Sequence, residues 1–282
     1  MHYRLRPLIA ARQTGNFPRC RARVEKEVIE KAMQGGVWGA LIASLLAGLA
    51  TGLGGVPLLF WRKDVPRRLS DLMLGFAAGV MLAATAFSLL VPALEQGGLI
   101  PGVGGVVVGA LFLYALDRLV PHVHPALGRQ EGLNSTVARV WLLILAITIH
   151  NFPEGFSVGV VMGTGDVQAG LGLALAMALQ NIPEGLAVAA PLVREGYSKG
   201  RALLYAALSG LAEPVAGTLG ALAVQSIARV LPWALAFAAG AMLYVVSDEM
   251  IPESHREGYE VEATLGFIAG FVVMMALDNA FG

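Results

Sequence analysis

The stretch Arg139-Val-Trp-Leu-Leu-Ile-Leu-Ala-Ile-Thr-Ile-His150-Asn-Phe-Pro-Glu154-Gly-Phe-Ser-Val-Gly-Val-Val-Met-Gly163 decides the fold. After its opening arginine it holds no Lys, Arg or Asp. Its length suits a bilayer core of about 30 Å, which needs about 20 apolar residues per helix. A surface helix of a soluble domain spreads polar residues along one face. Here they gather in a single knot, His150-Asn151-Phe152-Pro153-Glu154-Gly155, with apolar sequence on either side. That is the pattern of a membrane-spanning helix with a functional insert at depth.

Outward from this stretch, similar segments recur along the chain. Eight spans are expected, at about 37–60, 72–94, 102–120, 139–163, 168–193, 201–227, 233–252 and 263–282. The composition agrees: 56% of the 282 residues are hydrophobic, 14% are charged, and the mean hydropathy is +0.66. Soluble domains carry about a quarter charged residues, so lipid is the expected solvent. The formal net charge is zero and gives no reason to expect a nucleic-acid partner. The single cysteine, Cys20, excludes an internal disulfide framework and a Cys-based zinc knuckle.

Residues 1–36 form a basic extension with eight Lys/Arg and three Glu, and 37–282 the eight-helix domain. The extension has no apolar core of the kind a signal peptide needs, and an amphipathic helix is expected over 23–33. Met33 stands just before the first span, so the extension reads either as a surface arm or as sequence outside the mature protein. Of the twelve Lys/Arg beyond it, only Arg229 falls in an even-numbered loop. The positive-inside rule then places the odd loops in the cytoplasm and both ends of the bundle outside, in the cell inner (plasma) membrane.

The chain also repeats itself. Leu46-Ala-Gly-Leu-Ala-Thr51 returns as Leu208-Ser-Gly-Leu-Ala-Glu213, an offset of 162. Phe76-Ala-Ala-Gly79 with Met81-Leu82 returns as Phe237-Ala-Ala-Gly240 with Met242-Leu243, and Gly109 with Ala115-Leu116-Asp117 returns as Gly270 with Ala276-Leu277-Asp278, both at 161. Spans one and six run in opposite directions, so the expected fold is all-α with spans 1–3 and 6–8 as an inverted repeat around spans 4 and 5. Secondary transporters are built this way; receptors and membrane enzymes need no such symmetry.

The fifth span repeats the knot of the fourth as Gln180-Asn181-Ile182-Pro183-Glu184-Gly185. At about 100° per residue, His150 and Glu154 lie about 40° apart with Asn151 alongside, and Gln180, Asn181 and Glu184 do likewise. Each proline removes a helix hydrogen bond, so both helices are expected to bend there, either as plain helix shape or to open carbonyls to a pathway. A Glu at bilayer depth costs at least about 2.5 kcal/mol, and neither knot offers Lys or Arg. Protonation offsets that cost for one carboxyl; a shared divalent cation offsets it for both. Glu213-Pro214 adds a third carboxylate beside a proline in span six. Asp248-Glu249 and Asp278-Asn279 stand near helix ends as a relay or solvated mouths. Met81 and Ser88 share a face of span two, as core or as pathway lining. His122 and His124 form a loop cluster that either receives metal or is simply solvated.

With its two Pro-Glu-Gly knots, the chain resembles bacterial members of the ZIP (Zrt/Irt-like) family over nearly everything from the first span to Gly282. The resemblance implies a carrier of Zn2+, and often Cd2+, Fe2+ or Mn2+, toward the cytoplasm, with one or two metals held between helices four and five. On it, His150, Asn151, Glu154, Gln180, Asn181, Glu184 and Glu213 fall on the metal centre, Met81 beside it, and Ser88 and Glu95 along the outer approach. It implies a homodimer and an elevator-like or rocking motion of helices one, four, five and six. Some members have Asp where this chain has Asn181 and His where it has Asp248, which bears on the second metal and the inner route.

Two other classes share these ligands. An intramembrane metal-dependent hydrolase would use a glutamate as general base, but HExxH and any Ser/Cys nucleophile beside a His are absent. A metal-sensing membrane protein would bind without flux. A chain beginning at Met33 is expected to insert and move metal as the full chain does; loss of insertion or uptake on deleting residues 1–32 would assign the extension a role.

Overall fold

The computed structural model describes residues 35–60, 65–123, 130–131, 139–256 and 258–281. Eight long apolar helices cross the molecule: α1 (Gly36–Phe60), α2 (Arg67–Gly97), α3 (Leu99–Leu119), α4 (Arg139–Gly163), α5 (Val167–Arg194), α6 (Lys199–Ser226), α7 (Leu231–Ser254) and α8 (Glu260–Phe281). They match the eight expected spans, with α2 starting five residues earlier. The one strand pair among the described residues is a two-residue ladder, β1 (His122–Val123) antiparallel to β2 (Gln130–Glu131). The basic extension and its expected helix lie outside the described residues.

α4, α5 and α7 are the most enclosed helices, and α3 and α8 the least. The outer helices turn large apolar side chains such as Ile100, Val108, Leu111 and Leu265 outward, as a lipid solvent requires. At one end of the bundle Arg68 Nε sits 2.7 Å from Glu262 Oε1, tying the start of α2 to the start of α8.

Backbone contacts at small residues reproduce the repeat. Gly48 of α1 and Gly210 of α6, one repeat apart, face each other: a Cβ on Gly48 would lie 2.2 Å from Gly210 O, and one on Gly210 2.0 Å from Gly48 O. A Cβ on Gly185 would stand 1.7 Å from Thr51 O, and one on Gly155 2.3 Å from Glu213 O, so equivalent helices meet at equivalent residues. The outer pairs follow suit, with Gly270 against Phe76 O and Gly109 against Phe237 O. Where no apolar force separates helix from lipid, such close packing is what binds helices together.

The repeat extends to irregular backbone. α2 carries a π-helical turn at Thr85–Leu90 and α7 one at Val246–Met250, so their starts are again 161 apart. Such turns rotate the side chains that follow them and often mark functional positions. α4 and α5 run as continuous α-helices through Pro153 and Pro183, where each proline costs one hydrogen bond and Gly155 and Gly185 dock the next turn onto a neighbouring backbone. α6 is interrupted, its two α-helical parts being Lys199–Ser209 and Ala212–Ser226. Pro214 would clash with the carbonyl of Gly210, and breaking there sets Glu213 in the first turn of a half-helix, where the dipole favours negative charge.

Gly185→Ala is expected to lower stability by about 1–3 kcal/mol or more, because its methyl meets backbone and not a movable side chain. Gly200→Ala, in open space on α6, should be neutral. Thermal unfolding of the two purified variants compares them; equal midpoints would remove the close contact from the account.

Candidate metal centre

The knots in α4 and α5 bring their polar groups into the middle of the bundle. His150, Asn151, Glu154, Gln180, Asn181, Glu184 and Glu213 are all buried, at 0–3% exposure. Glu184 lies within electrostatic reach of Glu154, Glu213 and Glu249, and Glu213 within reach of Glu154. Four carboxylates from four helices therefore converge on one region.

An ordered amide relay sets the polarity of this region. Asn181 Nδ2 donates to Ala47 O at 2.8 Å and to Glu213 Oε1 at 2.6 Å. A carbonyl only accepts, so Asn181 must turn its amide nitrogen toward α1 and its Oδ1 the other way. Gln180 Nε2 donates to that Oδ1 at 2.7 Å, which leaves Gln180 Oε1 as the free end. One backbone carbonyl of α1 thus fixes an acceptor oxygen in the site. Asn181, expected as a ligand, also orients Gln180 through one lone pair of that oxygen.

The acceptors that remain are unusual for a protein interior. Both oxygens of Glu154 and of Glu184, Glu213 Oε2, Gln180 Oε1 and both polar atoms of Asn151 are buried without a hydrogen-bond partner among the described residues. Buried polar atoms are nearly always paired, and an unpaired one costs about 1–3 kcal/mol, more when charged. Oxygen donors of this kind around an imidazole suit a divalent transition-metal ion.

His150 is engaged on one side. Its Nε2 contacts Glu249 Oε1 of α7, both groups being buried. Glu249, ranked on sequence among helix-end groups, is therefore part of the centre. Asp117, Asp248 and Glu249 place carboxylate oxygens within 4.8 Å of one another, extending the acidic surface from His150 toward the end of α3. Asp117 was visible in sequence only as the repeat partner of Asp278; its distance in sequence from the knots concealed its place.

The other expected positions are spread along α2 and the loops. Met81 is fully buried in the apolar core with Met177 and Met242, on a helix that packs against α5. Ser88 donates to Asp278 Oδ1 of α8 at 2.6 Å, and Glu95 is exposed at the end of α2. His122 stands in β1 opposite Glu131, and His124 lies outside the described residues.

Eight membrane-crossing helices around a buried carboxylate, imidazole and amide cluster define a polytopic metal-handling membrane protein. Comparison with known proteins narrows the class. Residues 126–278 match the family described as ZIP Zinc transporter. The chain is 44% identical over 254 residues to the zinc transporter GufA of Myxococcus xanthus, covering 86% of this chain and 98% of that one. It is 44% identical over 260 residues to the zinc transporter ZIPB of Bordetella bronchiseptica (89% and 81%), and 36% identical over 318 residues to the human zinc transporter ZIP11 (81% and 93%). The chain belongs to the ZIP zinc transporter family.

If the unpartnered oxygens are ion ligands, Zn2+ should raise the unfolding temperature of the purified protein in a concentration-dependent way. The Glu154→Gln, Glu184→Gln pair should keep or raise the metal-free midpoint, since two buried charges are gone, and lose the zinc response. A full zinc response in that double variant would move the binding site elsewhere.

Proposed function

We propose that the chain carries divalent transition-metal ions, Zn2+ foremost, across the cell inner membrane toward the cytoplasm. The observation that carries this reading is the set of buried carboxylate oxygens without partners among the described residues, contributed by two helices that the inverted repeat exchanges. In the proposed cycle a hydrated ion enters from outside past Glu95, Ser88 and Asp278. It exchanges waters for His150, Glu154, Gln180 and Glu184, with Asn151 and Glu213 beside them and room for a second metal. It leaves past Glu249, Asp248 and Asp117, with His122 and His124 in the loop that receives it. Odd loops then face the cytoplasm and both termini the outside. Cd2+, Fe2+ and Mn2+ are further substrates of the same oxygen-rich set, and the working unit is a homodimer.

Close backbone packing supports a moving-body mechanism. Every described glycine whose added Cβ would fall within 3.0 Å of backbone on another helix joins α1, α4, α5 and α6 to each other, α2 to α8, or α3 to α7. None of these contacts links the first set to the others; Gly172 of α5 reaches across only to the Phe281 side chain of α8. The helices that bear the knots and Glu213 are thus locked as one body, able to shift against a frame of α2, α3, α7 and α8 while the ion travels with its ligands.

Purified protein in liposomes with a trapped zinc-sensitive dye should show saturable Zn2+ influx. The His150→Ala, Glu184→Ala variant should reduce it by at least about 100-fold, as expected when two direct ligands are removed. Zinc binding without influx by the folded wild type would turn the reading to a sensor.

A further inference from the structure

We infer that Thr51 of α1 is a specificity-determining residue of the centre, holding with Asn151 a water that stays on the transported ion. The inference rests on the transport reading above and concerns which ions the site accepts.

The first observation is a displaced hydroxyl. Hydroxyls on apolar helices normally bond a carbonyl one turn back. The other buried serines and threonines do so: Ser44 to Ala40 O, Thr85 to Met81 O, Ser157 to Glu154 O, Ser209 to Ala206 O and Ser254 to Ile251 O. Thr51 is 0% exposed, and its Oγ1 has no partner among the described residues. Of its two usual acceptors, Ala47 O four residues back already accepts Asn181 Nδ2 as well as its place in the helix ladder, and Gly48 O three residues back is packed against Gly210. With the amide relay on one acceptor and the helix contact on the other, the hydroxyl is left to the site.

The second observation is symmetry. The repeat carries Glu213 onto Thr51, and the exchange of knots carries Asn181 onto Asn151. The docking glycines confirm the correspondence, Gly155 against Glu213 and Gly185 against Thr51. On one side of the two-fold Asn181 donates to Glu213; on the other, the corresponding pair is Asn151 and Thr51, and among the described residues neither polar atom of Asn151 nor the Thr51 hydroxyl has a partner. α1 and α4 pack together, as the two-fold requires of the helices that carry this pair. A threonine ends about two bonds short of a glutamate. A water occupies about 30 Å³ and needs two to four polar partners, which the hydroxyl, the amide and a bound ion provide.

An ion that keeps a water gains most from this arrangement. Mn2+ favours carboxylate, carbonyl and water oxygens in octahedral geometry, whereas Zn2+ is commonly satisfied by four ligands. Thr51 therefore broadens the site toward harder ions and contributes little to zinc itself.

Thr51→Val keeps the shape and removes the hydroxyl; Thr51→Ser keeps the hydroxyl. In mixed-metal liposome uptake, T51V should lower the Mn2+ to Zn2+ ratio by about three- to tenfold, the loss of one hydrogen bond, with Zn2+ uptake within about twofold of wild type. T51S should keep the wild-type ratio. Equilibrium binding of Zn2+ and Mn2+ to the detergent-solubilised full chain should show the same pattern. A ratio within twofold in T51V, equal loss of both metals, or a T51S variant that behaves like T51V would overturn the inference. Binding without uptake in the wild type would instead sink the transport reading, and the binding ratios would still decide the role of Thr51.

Discussion

The carboxylates of the knots are buried at bilayer depth with no cationic side chain in either knot, and most of the structure follows from that constraint. A charged group there costs at least about 2.5 kcal/mol even on the mildest scales. Ordinary folding would pair these acids with Lys or Arg or replace them with apolar residues. Among the described residues Glu154 and Glu184 have no hydrogen-bond partners. The chain places Glu213 in the first turn of a half-helix, where the dipole supplies modest compensation. A cation that can leave again is the compensation left to the knots. A fixed arginine would neutralise the acids permanently and end transport.

The amide relay gives that centre a defined polarity. Were Gln180 turned the other way, it would present N–H groups to a cation. Ala47 O prevents this through Asn181, and the same step fixes Glu213 Oε1. Removing one member leaves the rest able to rotate, so the three side chains act as a unit whose parts do not add. The helix-one carbonyl thus contributes to the site without touching an ion.

Much of this was legible in sequence, for physical reasons that differ by residue. The eight helices showed because bilayer thickness sets a length that composition cannot hide. The knots showed because i, i+4 spacing puts His150 beside Glu154 on any helix. The repeat showed in short echoes, and the docking glycines within them explain why those echoes were kept. Glu249 and Asp117 were hard to place because their position depends on how α3 and α7 cross α4, and no local spacing encodes a crossing. The π-helical turns were hidden too: they insert no recognisable residue, yet they set where Ser88 and Glu249 point. The break in α6 beside Pro214 was not legible, because Pro153 and Pro183 carry the same local chemistry and their helices run on without one.

The departures from two-fold symmetry make the two ends of the bundle unlike. Ser88 and Glu249 occupy equivalent positions in equivalent π-helical turns, and Asp278 and Asp117 are likewise equivalent. At one end of the pathway the pair is a hydroxyl donating to an acid. At the other it is two acids close together, with a third in Asp248 and with Glu249 reaching His150. A perfectly symmetric carrier would treat its two faces alike. Here the end that carries Glu249 holds more carboxylate and engages the imidazole, so the two ends offer an ion, and His150, different partners.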